Sequence, residues 1–195
     1  MTSNTKEIII MKAKSLFAKN GYEGFSMRIL AKDSGVGLSS IYHFFADKDV
    51  LLKYIFDDIS KELGTERYRL TASTTASDML YARILFQFTH IEKVVYVQKY
   101  YLHFRNEFPK GDNGYIPTKA YLHIDEVLRF GITKNEFYVE DSEVSQQAKV
   151  ITHSINGFLL EYYPLVPEGF ELKSIATTIH QFIMRSLTNK EVAMK

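Results

Sequence analysis

Between residues 26 and 48 the chain places Ser26, Arg28, Ser39, Ser40, Tyr42, His43 and Lys48, and each of these side chains can hydrogen-bond a phosphate or a base edge. Arg28 has the reach for a bidentate contact to guanine, and Leu38 can touch a thymine methyl. Gly37 keeps the approach open beside them. Ser26 and Lys48 stand where helices are expected to begin, so free backbone N–H groups and the helix dipole favour a phosphate there. No stretch offers comparable material for covalent chemistry. The chain has no GxSxG, no HExxH and no phosphate loop, and Gly131-Ile132-Thr133-Lys134 lacks the second glycine. Its six histidines (43, 90, 103, 123, 153 and 180) never fall at i, i+4, so no helical two-His metal site is expected. Asp57-Asp58 and Glu140-Asp141 are sequence neighbours, which point in different directions on a helix. No catalytic residue, metal or cofactor is expected; a helical enzyme would need distant residues to converge.

The elements that must position this cluster are legible in the spacing. Ala31 precedes Gly35 by four residues and Ile41 follows it by six, as a helix-turn-helix requires. The alanine lets the second helix come close, and the glycine permits the turn. Val36, Ile41 and Phe45 hold that helix from behind. Taken singly, each polar residue also fits a plainer role: Ser26 as a cap, Lys48 as a solvated charge, the aromatics as core. Together with the turn spacing, they favour the DNA major groove.

Helical periodicity continues throughout, and strand signals are nearly absent. Ile9, Ala13, Leu16 and Phe17 make a first stripe ending at Asn20-Gly21, and Ser26 caps a short helix to about Ser34. A third helix is expected from Leu38 to about Phe45. Asp47 caps a long fourth with Leu51, Leu52, Ile55, Phe56, Ile59 and Leu63 inward, fraying over Thr65–Ser77. Five more are expected near 77–90, 92–107, 117–131, 142–163 and 172–189. The breaker cluster at 109–117, Gly131, and Pro164, Pro167 and Gly169 separate them. The expectation is an all-α chain of about nine helices, with a helix-turn-helix domain over 1–47 and a second helical domain over 48–195.

Composition narrows the class. Net charge is only +1, but residues 1–50 hold seven Lys/Arg against five Asp/Glu, a mild basic bias at that end. The absence of cysteine excludes disulfides and thiolate metal sites. No apolar run suits a bilayer or a signal peptide, so a soluble, cytoplasmic protein without membrane association is expected.

Three runs together resemble the N-terminal domain of TetR/AcrR-type transcriptional regulators. They are Ile9-Ile10-x-x-Ala13-x-x-Leu16-Phe17-x-x-x-Gly21-Tyr22-x-x-Phe25-Ser26, then Ile29-x-Ala31-x-x-x-Gly35-Val36, then Ile41-Tyr42-x-Phe44-Phe45-x-x-Lys48-x-x-Leu51. Gly131 through Asp141 is similar to a connector that often precedes that family's penultimate helix. The resemblance implies a homodimer whose heads occupy successive major grooves of a near-palindromic double-stranded operator. It also implies a helical effector-binding body, and a four-helix dimer bundle from the last two helices. It places Arg28, Leu38, Ser39, Ser40, Tyr42, His43 and Lys48 toward DNA. The chain departs from the pattern at Phe44, where a His or Tyr commonly stands, and at Gly37-Leu38, where a polar residue often follows the turn.

Thirteen Tyr and fourteen Phe without a Trp are a heavy aromatic load. Phe86, Tyr96, Tyr100, His103, Phe104, Tyr121, His153 and Phe158 are the candidates to line an effector pocket, suited to a small, largely apolar or aromatic molecule. For any one of the aromatics, a plain helical core is the favoured reading. Ile151, Ile155, Leu159 and Tyr162, with Ile175, Ile179, Phe182 and Ile183, form stripes suited to a dimer seam or to packing within one subunit. Gly157 inside its helix suggests a close helix approach. The expected function is a ligand-responsive regulator, most simply a repressor released by its effector. The alternative is an interaction protein that binds a protein partner with DNA as scaffold.

Overall fold

Ile9, Ala13 and Phe17 recur along one face and are fully buried, and this stripe makes Thr2–Asn20 the first helix, α1. The structure, a computed structural model, describes residues 2–68, 75–108, 120–163 and 171–189. The breaker cluster at 109–117, the separators Pro164, Pro167 and Gly169, and residues 69–74 of the expected fray lie outside the described residues; the fourth helix itself continues to Tyr68 rather than fraying from Thr65. Among those described, the regular elements are nine helices: α1, α2 (Met27–Ser34), α3 (Leu38–Phe44), α4 (Lys48–Tyr68), α5 (Ala76–Thr89), α6 (Ile91–Phe104), α7 (Tyr121–Thr133), α8 (Val144–Tyr162) and α9 (Leu172–Leu187).

These helices fall into two compact units. One comprises Met1–Leu63 with Glu92–Gly114, the other Gly64–Ile91 with Tyr115–Lys195. The expected boundary between residues 47 and 48 thus falls inside the first unit, where α1–α3 share a core with α4 and α6. All six α4 residues expected to face inward are buried. Five consecutive residues of α6, Val94 to Gln98, are buried too, while Leu102 and His103 in its last turn are exposed. The Tyr96 ring lies 4.7 Å from that of Phe17, and its hydroxyl donates to the Leu52 carbonyl at 2.8 Å. Lys99 Nζ donates to the carbonyls of Ala18 (2.6 Å) and Lys19 (3.1 Å), satisfying acceptors that the last turn of α1 leaves open. Burial there lowers the Lys99 pKa.

In the second unit, α5 begins at a doubly closed N-terminus. Thr75 Oγ1 accepts the Asp78 N–H at 3.1 Å, and the Glu136 carboxylate accepts those of Ala76 (2.8 Å) and Ser77 (3.3 Å). Asp125 on α7 accepts from Ser145 Oγ at 2.5 Å and from Arg129 Nε at 2.6 Å, and Arg129 Nη1 reaches Asp141 at 2.7 Å. Burial opposes the Asp125 charge, but these hydrogen bonds outweigh it and hold its carboxyl below the ordinary range.

Two glycine expectations need correction. Gly131 does not end its helix; α7 continues to Thr133, and the left-handed residue of the stop is Asn135 at φ 56°. The N–H groups of Glu136 and Phe137 return to the Gly131 carbonyl at 2.8 and 3.2 Å. That return lays the buried Phe137 ring directly over residue 131, where any Cβ would overlap it. Gly157, expected to mark a close helix approach, has open space around an added Cβ within this chain.

Candidate nucleic-acid interface

The helix-turn-helix is built from local hydrogen bonds. Ser26 is extended (φ −145°, ψ 153°), and its Oγ accepts the Ile29 N–H at 3.2 Å, opening α2. Gly35 ends α2 at φ 68°, a left-handed conformation that costs other residues strain. Ser34 Oγ accepts the Val36 N–H at 3.2 Å and braces the turn. Gly37 then caps α3, its carbonyl accepting from Ser40 at 2.9 Å and Ile41 at 3.1 Å. Asp47 opens α4 by accepting the Val50 N–H at 2.8 Å.

Burial sorts α3 into two faces. Ile41 is fully buried and Phe45, just beyond the helix, is 3% exposed, while Leu30 and Met27 of α2 are buried beside them. Gly37, Ser39, Ser40, Tyr42 and His43 are exposed, as is Arg28 on α2; Ser26, Leu38 and Lys48 are half-buried. Tyr42 is 48% exposed although it is a large aromatic. All nine residues expected to meet DNA therefore lie in one unit, the polar ones on the solvent side of the turn or at its edges. Phe44 is half-buried, with His43 edge-on at 5.5 Å.

Sequence reasoning gave no role to three residues here. Lys6 Nζ lies 4.6 Å from the Tyr54 ring centroid and 5.7 Å from that of Phe45, which adds a cation beside the end of α3. Tyr22 carries the Lys48 ammonium on its ring at 3.6 Å. Gln98 is 6% exposed, and both atoms of its amide lack a hydrogen-bond partner. A glutamine in an otherwise valine- and tyrosine-rich helix was the available signal for the last.

The eight candidate ligand residues divide between the units. Tyr96, Tyr100, His103 and Phe104 belong to the first; Phe86, Tyr121, His153 and Phe158 belong to the second. In the first, Tyr96, Tyr100 and Phe104 are buried; Tyr100 stacks on Phe56 at 4.4 Å, and burial pushes its hydroxyl up to about 12. In the second, Phe86 is buried and Phe158 stacks on Tyr162 at 4.6 Å, while His153 faces solvent and Tyr121 lies under Lys149. An open groove of about 520 Å³ runs along α1 past Lys12 and Asp33, which pair at 3.6 Å, but none of the eight lines it. Of the seam candidates, Ile151, Ile155, Leu159 and Ile183 are buried within the chain. Tyr162, Ile175 and Ile179 are half-buried, and Phe182 is 74% exposed. Val150 on α8, 56% exposed, joins Phe182 as an uncovered apolar residue.

Residues 9–55 match the family model described as bacterial regulatory proteins of the tetR family. A Bacillus subtilis HTH-type transcriptional regulator, YhgD, is 35% identical over 63 residues, 32% of this chain and 33% of that protein. The match to a second B. subtilis regulator likewise covers only 41% of its length, so the chain spans well under half of the curated relatives it matches. Likeness over almost the whole chain comes from solved structures. The ketosteroid transcriptional regulator KstR2 of Mycobacterium tuberculosis superposes with a TM-score of 0.72 at 17% identity, covering 97% of both chains. FadR from Bacillus subtilis, solved with stearoyl-CoA, gives 0.64 at 17%, covering 93% of this chain and 99% of its own. The family match is thus confined to residues 9–55, whereas the likeness of fold extends over almost the whole chain. The matched family is described as regulatory proteins, and both curated relatives are named as HTH-type transcriptional regulators.

Proposed function

We propose that this chain, whose residues 9–55 match the tetR-family model, is a ligand-responsive transcriptional regulator that lays α3 in the major groove. One observation carries the reading: α3 hides Ile41 while Ser39, Ser40, Tyr42 and His43 face water, with Arg28 and Lys48 at its flanks. Lys48, Tyr42 and Ser26 hold phosphates, and Arg28 supplies the strongest base contact. Ser39, Ser40 and Leu38 discriminate bases weakly, so the sequence-dependent shape of the DNA carries part of the specificity.

The chain acts as a homodimer, because a two-fold operator calls for a two-fold protein. The uncovered Val150 and Phe182, with the open space above Gly157, support a seam on α8 and α9. The effector is a small molecule with a largely apolar or aromatic body. The stearoyl-CoA in complex with one fold neighbour, and the ketosteroid for which the other is named, support an apolar body. The unpartnered amide of Gln98 supports a polar group on that molecule able to donate and accept. The effector favours the conformation that fits DNA poorly, and each tenfold preference shifts the equilibrium by about 1.4 kcal/mol. Regulation is then repression relieved by the effector.

Fluorescence anisotropy with the DNA upstream of its own gene, across a salt series, tests the reading. Lys48→Ala and His43→Ala should weaken salt-dependent binding while the far-UV spectrum is unchanged. Parent protein that shows no salt-dependent binding to that DNA refutes it.

A further inference from the structure

The ring of Tyr22 is held from four directions. Lys48 Nζ stands 3.6 Å from its centroid, and the His103 imidazole stacks on it at 3.6 Å with planes 17° apart. Two groups cannot share one face at that stand-off, so lysine and histidine occupy opposite faces. The Tyr22 hydroxyl donates to Asp49 Oδ1 at 2.8 Å, and Phe104 meets the ring edge-on at 5.4 Å and 87°. Burial and the Asp49 carboxylate push that hydroxyl up to about 12, so it remains a donor at any ordinary pH. The residues come from three places: Tyr22 from the turn after α1, Lys48 and Asp49 from the first turn of α4, and His103 and Phe104 from the last turn of α6.

We propose that Tyr22, backed by His103, is a positioning residue that holds the Lys48 ammonium where it meets the DNA backbone. The proposal rests on reading Lys48 as a phosphate contact. A free lysine samples many rotamers, and fixing its head on a phosphate forfeits that freedom. Cation–π attraction to the Tyr22 face restricts the ammonium beforehand. One N–H directed at the ring leaves two donors for phosphate oxygens. Tyr22 can serve only while its own ring is fixed, and the His103 stack, the Phe104 edge and the Asp49 hydrogen bond fix it. His103, a candidate effector anchor on sequence grounds, thereby takes a role on the DNA side, and the end of α6 gains a direct mechanical link to a DNA-contacting charge.

The test uses the full chain and a fluorescein-labelled duplex of mixed sequence, since phosphate contacts are independent of sequence. Each phosphate neutralised adds about 0.9 to the slope of log K against log salt. Lys48→Ala should flatten the slope by about one such contact per chain. His103→Ala and Tyr22→Leu should weaken binding about two- to five-fold per chain, and His103→Phe, which keeps a stacking ring, should restore it. In the Lys48→Ala background neither change should weaken binding further. A spectroscopic readout stands apart from folding: the Lys48 side-chain methylene resonances should be shifted upfield by the Tyr22 ring current, and less so in His103→Ala. Full-strength binding by His103→Ala, or losses that add to that of Lys48→Ala, would overturn the positioning role while leaving DNA binding intact. Parent protein that fails to bind the duplex would overturn both readings.

Discussion

Gly131→Ala and Gly157→Ala are the same substitution in the interior of two helices, and they should move stability in opposite directions. Replacing a helical glycine with alanine gains about 0.8–1 kcal/mol from propensity alone. At Gly157 nothing within 4 Å opposes that gain, so Gly157→Ala should stabilise the isolated chain by nearly the full amount. At Gly131 the new Cβ overlaps the ring of Phe137, including the carbon that joins ring to side chain, so a small swing of the ring tip gives no relief. Phe137 is only 2% exposed and cannot leave without uncovering the core of its unit. Forcing extra volume into a packed core costs about 1–3 kcal/mol, and displacing a buried phenylalanine outright costs about 3–5 kcal/mol. Subtracting the propensity gain leaves Gly131→Ala destabilised by up to about 2 kcal/mol if the core absorbs the volume, and by about 2–4 kcal/mol if Phe137 is displaced. For a chain of this size each kcal/mol shifts Tm by about 2–4 °C. Thermal and urea unfolding at low protein concentration should resolve the two variants on either side of the parent. Adding Phe137→Leu to Gly131→Ala should recover part of the loss, since the pair is in contact. A Gly131→Ala protein as stable as the parent would refute the packing argument. A Gly157→Ala protein that dissociates more readily in sedimentation would locate the partner copy on that face.

Three further outcomes are expected. Glu136→Ala should cost about 1 kcal/mol and raise hydrogen exchange at Ala76 and Ser77, whose N–H groups it leaves to solvent. Tyr96→Phe should cost about 1 kcal/mol by removing the hydroxyl donated to the Leu52 carbonyl, measurable as a lower urea midpoint. The His180 pKa is held below 6.5 mainly by burial, against the opposing pull of the Ser77 carbonyl and Asp78. The unfolded chain then binds more protons than the folded one between the lowered value and 6.5, so stability should fall as pH drops through that window. His180→Gln should flatten this part of the stability profile, and an unchanged profile would exclude His180 as its source.

The sequence by itself determined the DNA-facing head, because every signal there is local. Ser26 caps α2, Gly35 turns left-handed, Asp47 caps α4, and the period of Ile41 and Phe45 sets which face of α3 is hidden. Backbone geometry within a few residues fixes all of these, and the pattern of residue types records it. The buried face of α4 was legible for the same reason. Only the tertiary structure decided what packs on the head. That α6 joins α1–α4 depends on Phe17 meeting Tyr96 and on Lys99 reaching Ala18, pairs some eighty residues apart that leave no periodic trace. It also separated two glycines that look alike in sequence, one pressed by Phe137 and one open, because a neighbour's ring is invisible to helical spacing. Aromatic content announced contacts without naming partners. Tyr22 looked like a family residue following a glycine, and its ring became a platform for Lys48 only once α6 brought His103 to its other face.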